Sequence, residues 1–220
     1  MYNTIIWDWN GTLLNDLELS LDSVNILLKE RNLPILTIER YKDIFGFPVI
    51  NYYEKAGFDF SKEAFEIPAR QYVKLYGSKE SELKLFPDVI ETLTFFKEKN
   101  LQQIVLSAMK DDNLKKMIDN AKISHFFDGI FGIKDNYARE KVSLGMQVVE
   151  KLSLNPKECI MIGDTLHDAE VAEQCGFDCI LYSGGHVSIE RLETKNKKII
   201  NRLSELKEIN YFIQSPRNHH

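Results

Sequence analysis

The chain has 220 residues, 44% of them hydrophobic and 28% charged, with a formal net charge of −5. These values fit a globular protein of one large or two smaller domains. No basic stripe and no Lys/Arg run interleaved with aromatics occurs, which argues against nucleic acid or an anionic membrane as partner.

The N-terminal MYNTIIWDWN has neither the basic flank nor the long apolar stretch of a signal peptide. No apolar run reaches the roughly 18 residues that span a bilayer. The cysteines are Cys159, Cys175 and Cys179. They form no CxxC pair and read as reduced core thiols of a cytoplasmic protein, with zinc the lesser alternative. His219 and His220 end the chain and receive no role, and the sequence sets no oligomeric state.

The first predicted strand is Thr4 to Trp7. From Asp16 to about Glu80 no strand is found. Leu17, Leu21, Val24 and Leu28 sit at helical spacing, and further helices are expected over Thr37 to Phe45, Pro48 to Lys55 and Ser61 to Tyr76. This insertion is too long for a loop. It is read as a helical cap domain, residues 16–80, inserted into a core built from residues 1–15 and 81–220. In the core, Pro87 and Asp88 start a helix with Val89, Leu93 and Phe96 on one face. A strand over Gln103 to Ser107 follows. Asp111 and Asp112 open a helix whose Leu114, Met117 and Ile118 face inward. A strand over Gly129 to Ile133 precedes a helix from about Lys141 to Leu152. The last elements are a strand over Cys159 to Ile162, a helix from Asp168 to Cys175 stopped by Gly176, and a strand over Cys179 to Tyr182. The strands are apolar throughout, as when both faces are covered. The fold class expected is α/β, a doubly wound and mostly parallel sheet sandwiched by helices.

In such sheets ligands bind at the carboxyl ends of the strands, and four polar features fall at or near those ends. The first is Asp8-Trp9-Asn10-Gly11-Thr12. Asn-Gly is a common turn pair, but a carboxylate here could attack phosphorus, and the turn's N–H groups could form an anion nest. The second is Ser107, either a helix cap or a donor to a phosphate oxygen. The third is Lys141, either a solvated charge or the cation that neutralises nucleophile and phosphate. Lys134 is its rival. The fourth is Gly163-Asp164-Thr165-Leu166-His167-Asp168. Asp168 could cap the next helix, whereas Asp164 with Asp8 offers hard oxygen ligands suited to Mg²⁺.

In this order the four features resemble those of the haloacid dehalogenase superfamily: an Asp-x-Asp-Gly-Thr loop, a Ser or Thr, a Lys, and a Gly-Asp-x-x-x-Asp loop. The resemblance covers nearly the whole chain, and the insertion sits where that family places its helical cap. Leu85-Phe86-Pro87-Asp88-Val89 is similar to the segment after the cap in phosphoglycolate-phosphatase-like members. Gly46-Phe47-Pro48 is similar to a cap loop that touches substrate there. The resemblance implies Asp8 as nucleophile and metal ligand. It implies the Asn10 carbonyl and Asp164 as further ligands of Mg²⁺, with Asp168 supporting them. It also implies Gly11, Thr12, Ser107, Ala108 and Lys141 around the phosphate.

One residue departs from the pattern. The family's phosphatases carry a second aspartate as general acid and base, and Asn10 stands in its place. An amide donates a hydrogen bond but cannot shuttle a proton. His167 is one replacement; a surface residue beside a helix start is the bland alternative. The function expected is a Mg²⁺-dependent phosphatase acting on a small phosphorylated metabolite through an aspartyl-phosphate on Asp8. The alternatives are a very slow or non-catalytic phosphate-binding protein, and the dehalogenase or phosphonatase chemistry of the same superfamily.

Overall fold

The computed structural model describes residues 1–134 and 140–209. The terminal His219 and His220 lie outside the described residues. In chain order the elements are β1 (Thr4–Trp7), β2 (Leu14–Asn15), α1 (Leu17–Glu30), α2 (Ile38–Ile44), α3 (Val49–Ala56), α4 (Glu66–Lys79), β3 (Lys84–Leu85), α5 (Val89–Glu98), β4 (Gln102–Lys110), α6 (Asp111–Asn120), β5 (Gly129–Ile133), α7 (Glu140–Lys151), β6 (Cys159–Gly163), α8 (Leu166–Cys175), β7 (Asp178–Tyr182), α9 (Ile189–Glu193) and β8 (Lys198–Ile200).

Six strands form one sheet in the order β5-β4-β1-β6-β7-β8, and every recorded pairing in it is parallel. Alternate residues of β1 enter the two cores. Ile5 and Trp7 pack with Val89, Leu93 and Phe96 of α5, while Ile6 packs with Ile104, Leu106, Met161 and Ala172. Covering both faces is what makes such strands apolar throughout. Gln103, a long polar side chain in this interior, is satisfied. It accepts from Trp7 Nε1 at 3.2 Å and donates to the Leu93 carbonyl at 3.0 Å. The expected inward residues of α6, Leu114, Met117 and Ile118, are buried. Gly176 ends α8 at φ 78°, the left-handed conformation that glycine adopts without strain.

Two strand features escaped the sequence reading. β8 is a three-residue edge strand, and β2 pairs antiparallel with β3, Leu14 opposite Leu85 and Asn15 opposite Lys84. This short ribbon holds together the two chain crossings that flank α1 to α4. Those helices gather around their own cluster, which includes Val24, Leu28, Tyr41, Ile44, Tyr52 and Tyr53. The helix expected from Ser61 begins at Glu66 instead. Pro68 is the reason. In a helix begun at Ser61 it would sit in the interior, whereas from Glu66 it falls in the first turn, where a missing N–H costs nothing. None of the described helices is long and apolar enough to cross a membrane.

Candidate active site

The sheet register brings the site together. Trp7 lies opposite Val105 on one side and Ile162 on the other. Asp8, Ser107 and Asp164 therefore leave neighbouring strands at the same edge. β1 is also where the chain reverses its direction of travel across the sheet, from β4 and β5 to β6, β7 and β8. This is the switch point at which open α/β sheets bind ligands.

Asp8, Asp164 and Asp168 are all buried, and a carboxylate oxygen from each lies within 4.8 Å of the others. Lys141, 2% exposed at the start of α7, places Nζ 2.5 Å from Asp8 Oδ1 and 2.6 Å from Asp168 Oδ1. Asp168 is the third residue of α8, and its Oδ2 accepts from the Thr165 N–H at 2.9 Å and the Thr165 hydroxyl at 2.7 Å. The Thr165 oxygen in turn accepts from the Asp168 N–H at 3.2 Å. The sequence put Asp168 at the helix start as its cap; α8 instead starts at Leu166 with Thr165 as the cap, and Asp168 completes the capping box from the third position. The same carboxylate reaches Lys141 with its other oxygen.

The charges do not balance. Burial pushes the Asp8 carboxyl well above the usual range, and the Asp168 and Asp164 charges add to that against the opposing pull of Lys141. Burial likewise pushes Asp164 up to about 6. For Asp168 burial is outweighed by the Lys141 charge and hydrogen bond, which hold its carboxyl below the usual range. On Lys141 the two carboxylates outweigh burial and keep the ammonium protonated. Three desolvated carboxylates around one cation lack positive charge, and their donors are all hard oxygens. The cluster fits a divalent cation of the Mg²⁺ type.

Gly11 has φ +72°, and a Cβ there would overlap the Asp164 carboxylate and the His186 ring. The Thr12 hydroxyl is fully buried and donates to Asp164 Oδ1 at 3.1 Å. Neither residue lines the cavity above the site, whereas Asp8, Asn10, Ser107, Ala108, Lys141 and Asp168 do. Ser107 Oγ accepts from the Met109 N–H at 3.1 Å. Lys134, the rival of Lys141, is exposed and outside the cavity.

Asn10 is turned toward the inserted helices. Its Nδ2 donates to Asp16 Oδ2 at 2.8 Å and to the Tyr76 hydroxyl at 3.0 Å, and Tyr76 itself donates to Asp16 Oδ2 at 2.9 Å. The other Asp16 oxygen accepts from the Gly11 N–H at 2.9 Å and lies 3.0 Å from His186 Nε2. His186 Nδ1 is 3.0 Å from the Tyr41 hydroxyl. On Asp16 the upward push of burial is overcome by the His186 charge and by hydrogen bonds from His186, Asn10 and Tyr76, so its carboxyl stays below the usual range. Burial alone would lower His186, but the Asp16 charge and hydrogen bond, with Asp164 behind them, push it up to about 9.

Asp16 and His186 were not found from the sequence. Asp16 passed as the first residue of the insertion. His186 follows Ser183-Gly184-Gly185 in the loop after β7, and that position near a strand end was the available signal. His167 lines the cavity, but its ring lies against Phe47, with centroids 5.0 Å apart, and its Nδ1 is 3.5 Å from Glu170.

A parallel sheet with an aspartate at the carboxyl end of its central strand, facing a lysine and two further aspartates, defines a class of α/β hydrolases. A family model for haloacid dehalogenase-like hydrolases matches residues 5–182, and the chain belongs to that family. It is 27% identical over 191 residues to a phosphoglycolate phosphatase of Aquifex aeolicus, covering 84% of this chain and 86% of that protein. It is 22% identical over 193 residues to a phosphoglycolate phosphatase of Pseudomonas savastanoi pv. phaseolicola, covering 83% and 70%. Its fold matches a haloacid dehalogenase-like family hydrolase from Streptococcus pneumoniae with a TM-score of 0.82 at 22% identity, over 93% of this chain and 96% of the other.

Proposed function

We propose that the protein is a Mg²⁺-dependent phosphomonoesterase that takes a small phosphorylated metabolite and transfers its phosphoryl group to Asp8. The observation that carries this reading is the buried cluster of Asp8, Asp164, Asp168 and Lys141 at one sheet edge. An Asp8 carboxylate oxygen would attack phosphorus while the ester P–O bond breaks. Water would then hydrolyse the acyl phosphate, releasing inorganic phosphate and restoring the carboxylate. Lys141 would hold Asp8 in place and offset the charge of the phosphoryl oxygens. Ser107, with the backbone N–H of Ala108, would orient the phosphoryl group, whereas the N–H groups of Gly11 and Thr12, expected there from the resemblance, are donated to Asp16 and to the Trp9 carbonyl. Asp8, Asp164 and the Asn10 carbonyl would hold Mg²⁺, with Asp168 supporting them. The ion would neutralise phosphoryl charge as it is transferred.

In this reading α1 to α4 form a cap domain, residues 16–80, over a core of residues 1–15 and 81–220. The β2–β3 ribbon is its natural joint, and closure would exclude water from the acyl phosphate. The buried, free cysteines suit a reducing, cytoplasmic setting.

Asn10 qualifies the rate. Both hydrogens of its amide are committed to Asp16 and Tyr76, so it neither shuttles a proton nor donates to the leaving oxygen. The enzyme would favour esters with good leaving groups. The same observation supports a second reading, a protein that binds phosphate esters with little turnover.

The test is p-nitrophenyl phosphate hydrolysis with and without Mg²⁺, on wild type and Asp8→Asn. Mg²⁺-dependent hydrolysis that Asp8→Asn abolishes is expected. Hydrolysis that survives Asp8→Asn would sink the nucleophile assignment.

A further inference from the structure

We propose that the ester this site accepts carries a planar aromatic or heteroaromatic ring, not a short carboxylic acid of the phosphoglycolate kind. The observation is the wall of the cavity above Asp8. This inference takes the site of the proposed phosphatase as its starting point, but concerns binding as well as turnover.

The cavity measures about 540 Å³, within the range of roughly 300–1,000 Å³ seen for sites that hold drug-sized ligands. A two-carbon acid phosphate would leave most of it to water. The space is enclosed by rings. Phe45, Phe47 and Tyr52 line one part, with Phe45 5.2 Å from Tyr52 and 5.8 Å from Phe47, both edge-on. Tyr72 and Tyr76 of α4 line another, stacked at 5.9 Å. The Tyr72 hydroxyl donates to Ser20 at 3.1 Å, and that of Tyr76 to Asp16. Their polar ends are thus occupied by the protein, and what they offer the cavity is ring surface. Aromatic walls prefer another ring, offset-stacked or edge-on.

Charge points the same way. To hold a substrate carboxylate the wall needs an uncommitted cation. Among the described lining residues the buried cations are already paired: Lys141 with Asp8 and Asp168, His186 with Asp16. Arg70 and Lys110 also line the space, but both are exposed side chains, whose attraction for a carboxylate is screened by solvent.

Two polar atoms of the lining have no hydrogen-bond partner among the described residues, His167 Nε2, whose ring lies against Phe47, and the Tyr52 hydroxyl. Tyr52 is 4% exposed. Burial keeps the phenol protonated, so it is a donor. Buried polar groups are rarely left unpaired in a finished structure. A ring with an acceptor atom would supply the partner that the Tyr52 hydroxyl lacks.

The test compares primary alkoxide leaving groups and adds phosphonate binding, which leaving-group basicity does not touch, so that the lack of an acid at Asn10 does not confuse it. The esters are benzyl, pyridylmethyl and cyclohexylmethyl phosphate, with phosphoglycolate. Each is assayed with Mg²⁺ for kcat/KM on the wild-type chain. Benzylphosphonate, cyclohexylmethylphosphonate and phosphonopropionate are titrated calorimetrically as non-hydrolysable probes. We expect benzyl over cyclohexylmethyl by about three- to tenfold, and over phosphoglycolate by more than about tenfold. We expect Phe47→Ala to shrink the benzyl-to-phosphoglycolate ratio, and Tyr52→Phe to shrink the pyridylmethyl-to-benzyl ratio. Phosphoglycolate or cyclohexylmethyl phosphate equalling benzyl phosphate overturns the ring site and leaves the phosphatase standing. No hydrolysis, but tighter binding of benzylphosphonate, overturns the phosphatase and supports the ring site. Neither hydrolysis nor binding overturns both.

Discussion

Asn10 donates its amide to Asp16 across 2.8 Å, and Asp16 in turn holds His186 at 3.0 Å. The residue that stands where a proton carrier is expected is therefore one donor in a buried acid's shell. Tyr76 from α4 and the Gly11 N–H also donate to Asp16, and Tyr41 from α2 pairs with the other ring nitrogen of His186. The first loop of the core, the inserted helices and the loop after β7 are joined at this point. An aspartate at position 10 would face the Asp16 carboxylate, so the amide and the buried acid belong together.

Asn10→Asp alone should therefore destabilise the protein. It replaces a donor by a second carboxylate beside Asp16, and losing the partner of a buried charged group costs about 1–3 kcal/mol. For a chain of this size that corresponds to a fall of about 2–4 °C in Tm per kcal/mol. Asn10→Asp with Asp16→Ser removes the clash. In this pair, hydrolysis of alkyl phosphates should rise by about 10²- to 10⁴-fold, the span of general acid–base help. Thermal melts and alkyl phosphate assays check it, and unchanged alkyl turnover in the double variant would show that position 10 does not limit the rate.

The core of the fold was readable because its signals are local. Apolar strands, Gly176 and the apolar faces of α5 and α6 each follow from neighbours in sequence. The joint between core and inserted helices was not, since β2 and β3 are two residues each and pair across about seventy positions of chain. The cluster of Asp8, Lys141, Asp164 and Asp168 was readable through its order along strand ends. Asp16, Tyr41, Tyr76 and His186 were not. Their association depends on how the helices lie on the sheet edge, which no spacing in the sequence encodes.

Mg²⁺ should stabilise the fold, and more so at higher pH. Asp164 is pushed up to about 6 in the metal-free protein, so protons compete with the ion below that value. At an ion concentration of about 100 Kd the gain is about 2.7 kcal/mol. That is about 5–10 °C in Tm for this chain length. Calorimetric melts with Mg²⁺ or a chelator should show this shift at about pH 8 and little of it at about pH 5. Asp164→Asn should lose most of it, and an equal shift in that variant would remove Asp164 from the ligand set.

The Asp16–His186 pair should set a second pH dependence, visible in chelator. His186 is pushed up to about 9 from an unfolded value near 6.5. Its contribution, about 3 kcal/mol, is complete below about pH 6.5 and disappears as pH rises through 9. Asp16 is held below the usual carboxylate range, so its share is present above its unfolded value and is lost as pH falls through the folded one. Tm should decline more steeply between about pH 6.5 and 9 in wild type than in His186→Gln, where only groups such as the raised Asp8 carboxyl still contribute. The same decline in both proteins would mean that another group is responsible.

Arg191 should govern how firmly the inserted helices rest on the core. Its Nη1 donates to the carbonyls of Lys42 at 2.9 Å and Phe45 at 2.6 Å, the end of α2 and its flanking residue. From the core side, α9 thus supplies donors that the last carbonyls of a helix lack. Phe45 and Tyr41 lie beside His186, so the clasp also steadies the cavity wall. Hydrogen bonds from a charged donor contribute about 1.5–3 kcal/mol each. Arg191→Ala should therefore raise KM more than it lowers kcat and speed proteolysis within residues 16–80. Arg191→Lys, with one point charge for two carbonyls, should fall between the two. Limited proteolysis beside steady-state kinetics tests it, and identical cleavage rates for wild type and Arg191→Ala would show that the helices are held by apolar contacts alone.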